Sequence, residues 1–116
     1  MDSILASIKK NLGVDENCEH FDPDIITYIN GVFMTLMQIG IGPSTGFAIN
    51  DKNDLWSDFI PEDFQCVSAV KSFVTIKVKL LFDPPLSSSV IESMNNMANE
   101  YEWRLREAVE TFKQSQ

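Results

Sequence analysis

Cys18 and His20 are the side chains with the most obvious chemical potential, and they lie two positions apart in an acidic loop at residues 14–21. A cysteine and a histidine at this spacing could give Zn²⁺ two ligands, but a structural zinc site needs four. His20 is the single histidine, and Cys66 lies far along the chain without metal-type spacing. The sequence therefore predicts no metal site, and it favours two reduced thiols over a disulfide.

The carboxylates give no clearer indication of catalysis. Asp51, Asp54 and Asp58 crowd one loop, but that loop lacks the central glycine and the bidentate glutamate of a calcium-binding loop. The chain also has no nucleophile elbow, phosphate-binding loop, zinc-protease helix or dinucleotide-binding glycine pattern. We therefore predict no catalytic residues, no cofactor, and a function other than that of an enzyme.

The bulk composition is typical of one soluble domain spanning residues 1–116. With 44% hydrophobic and 22% charged residues, a chain of this length can bury roughly two-thirds of its unfolded surface. No apolar run approaches the ~20 residues of a membrane span, and no signal-peptide stretch opens the chain, so we expect neither a membrane anchor nor export. The net charge is −8, and no Lys/Arg cluster indicates specific nucleic-acid binding.

Two helices are predicted in the first part of the chain. The first begins at a Ser3 cap and ends at Gly13. The second begins with Asp22 as the cap and Pro23 at the first helical position, and it ends at Gly40. Gly31 in its middle either marks a close helix crossing or is an unexplained loss of about 1 kcal/mol in helix stability relative to alanine.

A third helix is predicted from Pro61 to Phe82, where the Asp83-Pro84-Pro85 sequence must stop it. Alternating β-branched residues in its second half allow a strand instead, but its length and helical neighbours favour a helix. The apolar residues of this predicted helix spread over a wide arc of its surface, and Lys77 falls within that arc. Its side chain either lies with its stem along apolar surface or forms a buried or interfacial ion pair.

The fourth predicted helix is long, with Ser89 and Glu92 as a capping box at its start. About 25 residues would extend roughly 38 Å, so we expect its far end to project from the domain. Trp103 lies off its apolar stripe, where it is either a partner contact or a half-covered surface residue.

The segment between residues 41 and 60 is the least regular part of the chain. It contains glycine–proline turns and a short helical turn that includes Trp56 and Phe59. These aromatic residues either cover the core or face another subunit. The predicted fold is all-α, a small bundle of about four helices with an irregular loop after the second.

The order of these segments resembles that of the head–tail connector, or adaptor, proteins of tailed bacteriophages and prophages. A helix SILASIKKNLG precedes the Phe21-Asp22-Pro23 entry into a helix ending MQIGIGP, followed by GFAI and a tryptophan-containing loop. The most specific part is LLFDPP followed by a helix with Glu102-Trp103-Arg104-Leu105 within NEYEWRLRE. The similarity covers nearly the whole chain.

This resemblance implies a structural virion protein at the head–tail junction, assembled in the host cytoplasm. Members form a dodecameric ring beneath the portal protein, extend the DNA channel and offer a platform to the next head-completion or tail protein. An acidic lumen would let DNA pass without specific binding. Because members use their C-terminal region to engage the portal, Trp103 to Phe112 would contact it here.

The resulting candidate interface comprises residues from the loop, the third helix and the fourth helix, namely Trp56, Phe59, Lys77, Trp103, Arg106 and Phe112. An alternative function is that of an acidic helical binding or regulatory module, such as a DNA-mimic inhibitor. Such an inhibitor would be a monomer or dimer, whereas a connector would form rings.

Overall fold

The part of the chain that the structure describes forms five helices and contains no strand. The structure is a computed structural model; it describes residues 2–61 and 64–114, with backbone only for 112–114. The helices are α1 (Ile4–Leu12), α2 (Asp22–Ile39), α3 (Trp56–Phe59), α4 (Val67–Phe82) and α5 (Ser88–Gln114). The prediction of a small all-α bundle is confirmed, with the short α3 as a fifth helix.

Both ends of α1 follow from its sequence. The Ser3 hydroxyl accepts the backbone N–H of Ala6 at 3.2 Å, and Gly13 ends the helix at φ +78°. A left-handed residue is the usual helix stop, and glycine adopts that conformation without steric cost. The apolar side of α1 is buried against α2 and α4, which gives this short helix the support that it lacks alone.

The start of α2 differs from the prediction by one residue. Asp22 is its first residue, Phe21 occupies the cap position and no side chain caps the helix. The Asp22 carboxylate lies instead against Lys9, which explains why it is not used as a cap. The predicted end at Gly40 is confirmed. Gly31 marks no close crossing within the described part of the molecule, because a Cβ there would have nothing within 4 Å.

Helix α4 begins at Val67, so the predicted start at Pro61 is wrong. Ile60 is extended, at φ −137° and ψ 147°, as expected of a residue that precedes proline. The Phe64 N–H donates to the Pro61 carbonyl and the Val67 N–H donates to the Phe64 carbonyl. Phe64 packs against the core ahead of the helix. The predicted first-turn acids, Glu62 and Asp63, lie outside the described residues.

The second half of this segment is helical to Phe82, so the strand alternative is wrong. Asp83 leaves the helical region at φ −147° and ψ 69° because a proline follows it. The predicted helix end is therefore confirmed.

Helix α5 differs from the prediction at both ends. Ser87 is the cap: its hydroxyl accepts the N–H of Val90 and its carbonyl accepts that of Ile91. Ser89 lies inside the helix, so the capping box assigned to it is wrong. The expected projecting far end is also wrong as far as side chains are described, because Leu105 and Val109 are buried there. The exposed apolar side chains of α5 are Val90, Met97 and Trp103, and all three precede Leu105.

The helices form a flat domain with α4 at its centre. Helix α4 packs against both α2 and α5, while α1 contacts α2 and α4. The described chain measures 44 × 35 × 20 Å. The largest fully buried side chains come from all these elements and include Phe33, Phe73, Ile8, Ile29, Ile49 and Leu105.

Candidate interaction site

Trp56 and Phe59 lie in the core, where α3 places them. Their exposed fractions are 3% and 2%. The Trp56 Nε1–H donates to the Ser7 hydroxyl of α1 at 2.8 Å. The Phe59 ring stacks on Phe33 of α2, with centroids 4.1 Å apart and planes 10° from parallel. These two aromatic side chains therefore join the irregular loop to α1 and α2 and have almost no surface to offer a partner.

The loop around them is held by a small number of polar contacts. The Asn30 side-chain amide accepts the N–H of Ile49 at 2.8 Å and donates to the Ile49 carbonyl at 3.1 Å. An antiparallel bridge pairs Ser3 with Leu55, with the Trp56 N–H donating to the Asp2 carbonyl. The loop is therefore a packed side of the domain.

Gly42 provides the closest packing in this loop. A Cβ at this position would lie 2.5 Å from Phe59 Cε1, and the residue has φ +100°. Both the space and the backbone conformation therefore require glycine. The ring of Phe59 fits directly against the Gly42 backbone.

Lys77 is half-buried on α4. This is the environment expected when a lysine stem lies along apolar side chains and the ammonium reaches water. Of the lysines on α4, Lys71 is the one that approaches the loop, with its Nζ 5.6 Å from the Trp56 ring centroid. The interface role predicted for Lys77 stays a prediction.

The outer face of α5 brings two of the predicted interface residues together. Trp103 is 62% exposed, and Arg106 lies one turn further along the same helix. Arg106 pairs with Glu102 at 3.6 Å and Arg104 pairs with Glu100 at 2.7 Å, both across one helical turn. The result is an exposed indole flanked by mixed charges. The backbone of Phe112 belongs to α5, but its side chain lies outside the described part.

The buried role of Lys9 was not predicted from the sequence. This residue is 3% exposed, and its Nζ lies 2.8 Å from Asp22 Oδ1. It also donates to the backbone carbonyls of Cys18 at 2.7 Å and Glu16 at 3.1 Å. The signal was its position four residues after Leu5 and three before Leu12, on the apolar side of α1.

The described residues contain no metal-binding cluster: no three His, Cys, Asp or Glu side chains converge. Cys18 and Cys66 are both free thiols of intermediate exposure. None of the helices in the described ranges combines the length and hydropathy that a bilayer crossing requires. Exposed helix faces are therefore the main candidates for a functional site.

The helix faces of this domain combine exposed apolar side chains with mixed charges, and exposed apolar patches rimmed by polar residues mark protein–protein interaction sites. The chain belongs to the phage connector protein family, whose family model matches residues 4–111. No curated protein and no solved structure gives a match. The family is structural rather than catalytic, and membership places the chain in the virion, with other phage head and tail proteins as its partners.

Proposed function

We propose that copies of this chain form a ring beneath the portal protein, where they join the capsid head to the tail. The observation that supports this most strongly is the connector-family match, which extends over residues 4–111 and so includes α1 to α4 and all of α5 up to residue 111. The ring is dodecameric, extends the DNA channel and presents its far side to the next head-completion or tail protein.

The surface of the monomer is suited to assembly. A ring requires two different, complementary faces on each subunit, because each copy contacts two neighbours in head-to-tail fashion. The structure leaves large apolar side chains exposed on three of its helices and on the α4–α5 turn. They are Met34 on α2, Leu81 on α4, Leu86 on the turn, and Val90, Met97 and Trp103 on α5.

The charge of the chain is compatible with a DNA channel. At −8 per copy, a closed ring accumulates a large negative charge. Carboxylates on the lumen repel DNA phosphates over the ~8–10 Å that physiological salt allows, so DNA slides without being held. We therefore expect no retention of the chain on DNA or heparin columns at physiological salt.

The portal contact is assigned to the outer face of α5 between Trp103 and Phe112. An exposed indole is a favoured interface anchor, and arginine is likewise enriched at interface hot spots. Arg106 pairs with Glu102 at 3.6 Å on the surface, and such a long exposed ion pair costs little to exchange for a partner's carboxylate.

Gel filtration with light scattering, alone and after mixing with the cognate portal protein, tests the proposal. We expect co-elution with portal and a ring in electron micrographs of the complex. A monomer or dimer that never joins portal would overturn the proposal. If such a species inhibited a DNA-processing enzyme, it would instead support the DNA-mimic alternative.

A further inference from the structure

A long uncharged stretch underlies one surface of the domain. Residues 25–50 contain no Asp, Glu, Lys, Arg or His, although at the chain average of 22% they would contain about six charged residues. The exposed positions of α2 within this stretch follow one another at helical spacing, namely Thr27, Gly31, Met34 and Gln38. We call this stripe the α2 face.

The α2 face continues into a shallow groove at the end of the helix. The groove has a volume of about 410 Å³ and is lined by Met34, Met37, Gln38 and the glycine-rich turn at residues 40–46. Met34 is 61% exposed at its edge. Methionine adapts to irregular apolar partners, and a glycine-rich turn lets another chain approach the backbone closely.

Gly31 has no explanation within the monomer. Glycine is a poor helix former, yet it sits in the middle of an 18-residue helix. A Cβ there would meet nothing within 4 Å in the described structure. The space above Gly31 is therefore open, and glycine at this position lets a neighbouring helix come close to α2.

A second uncharged surface lies at the beginning of α5. Residues 84–99 contain a single charged residue, Glu92. Leu86, Val90 and Met97 follow one another four and seven residues apart, which places them along one flank, and all three are exposed. We call this the α5 flank. It belongs to the part of α5 that is remote from Val109, where α5 meets Gly40 at the end of α2.

We propose that the α2 face of one copy binds the α5 flank of the next copy. This inference rests on the proposed ring. The two surfaces resemble each other chemically, since the residues that define them carry no charge and each set contains an exposed methionine, Met34 or Met97. Depletion of charge and enrichment of methionine characterise the cores of protein interfaces.

Both charge and geometry indicate that the partner bound to the α2 face is a second copy of this chain. Two chains of charge −8 repel each other least where neither presents a carboxylate. The α2 face and the α5 flank belong to different helices that pack on α4, so using one leaves the other free. A contact between two different surfaces is heterologous, and its repetition forms a ring when the rotation from copy to copy closes and an open filament when it does not.

Lysine substitutions on the two surfaces test this contact without threatening the fold. Gly31→Lys replaces a poor helix former with a good one at an exposed site, and Met97→Lys keeps a good helix former. Each changes the net charge from −8 to −7, which weakens general repulsion between copies. Asn96→Lys, on an exposed site of α5 away from the flank, is the matched control.

We expect Gly31→Lys and Met97→Lys to weaken self-association by at least about tenfold, because each buries an unpaired charge in the contact. Asn96→Lys should assemble like the unmodified chain, by light scattering alone and on portal. An equimolar mixture of the two defective variants should form dimers and nothing larger, since it restores one intact pair of surfaces.

The alternative results separate the contact from the function. Rings formed by Gly31→Lys or Met97→Lys on portal would overturn this contact and leave the connector role standing. Variants that form rings but no longer bind portal would show that these surfaces contact portal, which would also overturn the proposed contact between copies. If the unmodified chain neither self-associates nor binds portal, the proposed connector function would be contradicted as well.

Discussion

The ammonium of Lys9 lies 2.8 Å from the carboxylate of Asp22 and is almost fully enclosed by the domain. With its two backbone carbonyl partners, this ion pair joins α1, the acidic loop and the start of α2. A buried charge is tolerated only when it is paired and hydrogen-bonded. Each member of this group therefore depends on the others.

Removing Lys9 should destabilise the domain far more than removing its neighbour Lys10. Lys9→Met leaves the Asp22 carboxylate without its counter-ion and two backbone carbonyls without their donor, at a cost of about 3 kcal/mol in the free energy of unfolding. This is the low end of the usual range, since Asp22 keeps 21% exposure. Lys10 is exposed on the same helix, so Lys10→Met should change stability by less than about 0.5 kcal/mol. Urea unfolding measures both.

The Lys9–Asp22 pair should also be non-additive. Once Lys9→Met is present, adding Asp22→Asn should cost about 1–2 kcal/mol less than it does alone. Additive effects in this double-mutant cycle would show that the two groups do not interact.

Gly42 and Gly46 allow steric exclusion to be separated from backbone strain. Both have positive φ, +100° and +97°, so alanine at either position strains the backbone by about 1–2 kcal/mol. Gly42→Ala additionally forces Phe59 to move, whereas the space around Gly46 is open. We expect Gly42→Ala to be the more destabilising by at least about 1 kcal/mol in chemical denaturation. Equal losses would contradict the close Gly42–Phe59 contact.

Truncating the two tryptophans should affect different properties, stability for Trp56 and portal binding for Trp103. Trp56→Ala removes a buried ring and leaves a cavity, at a cost of about 3–5 kcal/mol, and should lower the unfolding midpoint sharply. Trp103→Ala should leave stability within about 0.5 kcal/mol but reduce co-elution with portal. A Trp103→Ala variant with undiminished portal binding would disprove the α5 portal contact while leaving the fold unaffected.

Gly31→Ala should stabilise the monomer. The site is exposed, helical and free of neighbours, so the substitution should contribute about 0.5–1 kcal/mol through lower backbone entropy in the unfolded state. Thermal unfolding of the monomer detects the gain as a higher midpoint. A loss of stability would mean that the helix is strained at this residue.

Helix identity in this chain could be predicted from local rules. Ser3, Gly13, Gly40 and the prolines after Asp83 act within one or two turns of themselves, and the structure places helix ends at all of them. The starts of α4 and α5 were predicted less well. Pro61 permits a helix start, but the packing of Phe64 against the core is a tertiary effect that no local rule contains.

The division between buried and exposed aromatics was not predictable for a related reason. Trp56 and Trp103 are both tryptophans within charged surroundings, and only the tertiary fold separates them. Trp56 is buried because Ser7 and Phe33 pack against it, and both residues are remote from it in sequence. Lys9 was missed likewise, because its partner Asp22 lies beyond a loop.

The paired hydrogen bonds between the Asn30 amide and Ile49 have a consequence for the motion of residues 46–50. A single side chain supplies both the donor and the acceptor that an adjacent strand would otherwise provide, so the backbone N–H and C=O of Ile49 are as well satisfied as those in regular secondary structure. The amide proton of Ile49 should therefore exchange with deuterium as slowly as those of the central helices, although Ile49 lies in the least regular part of the chain.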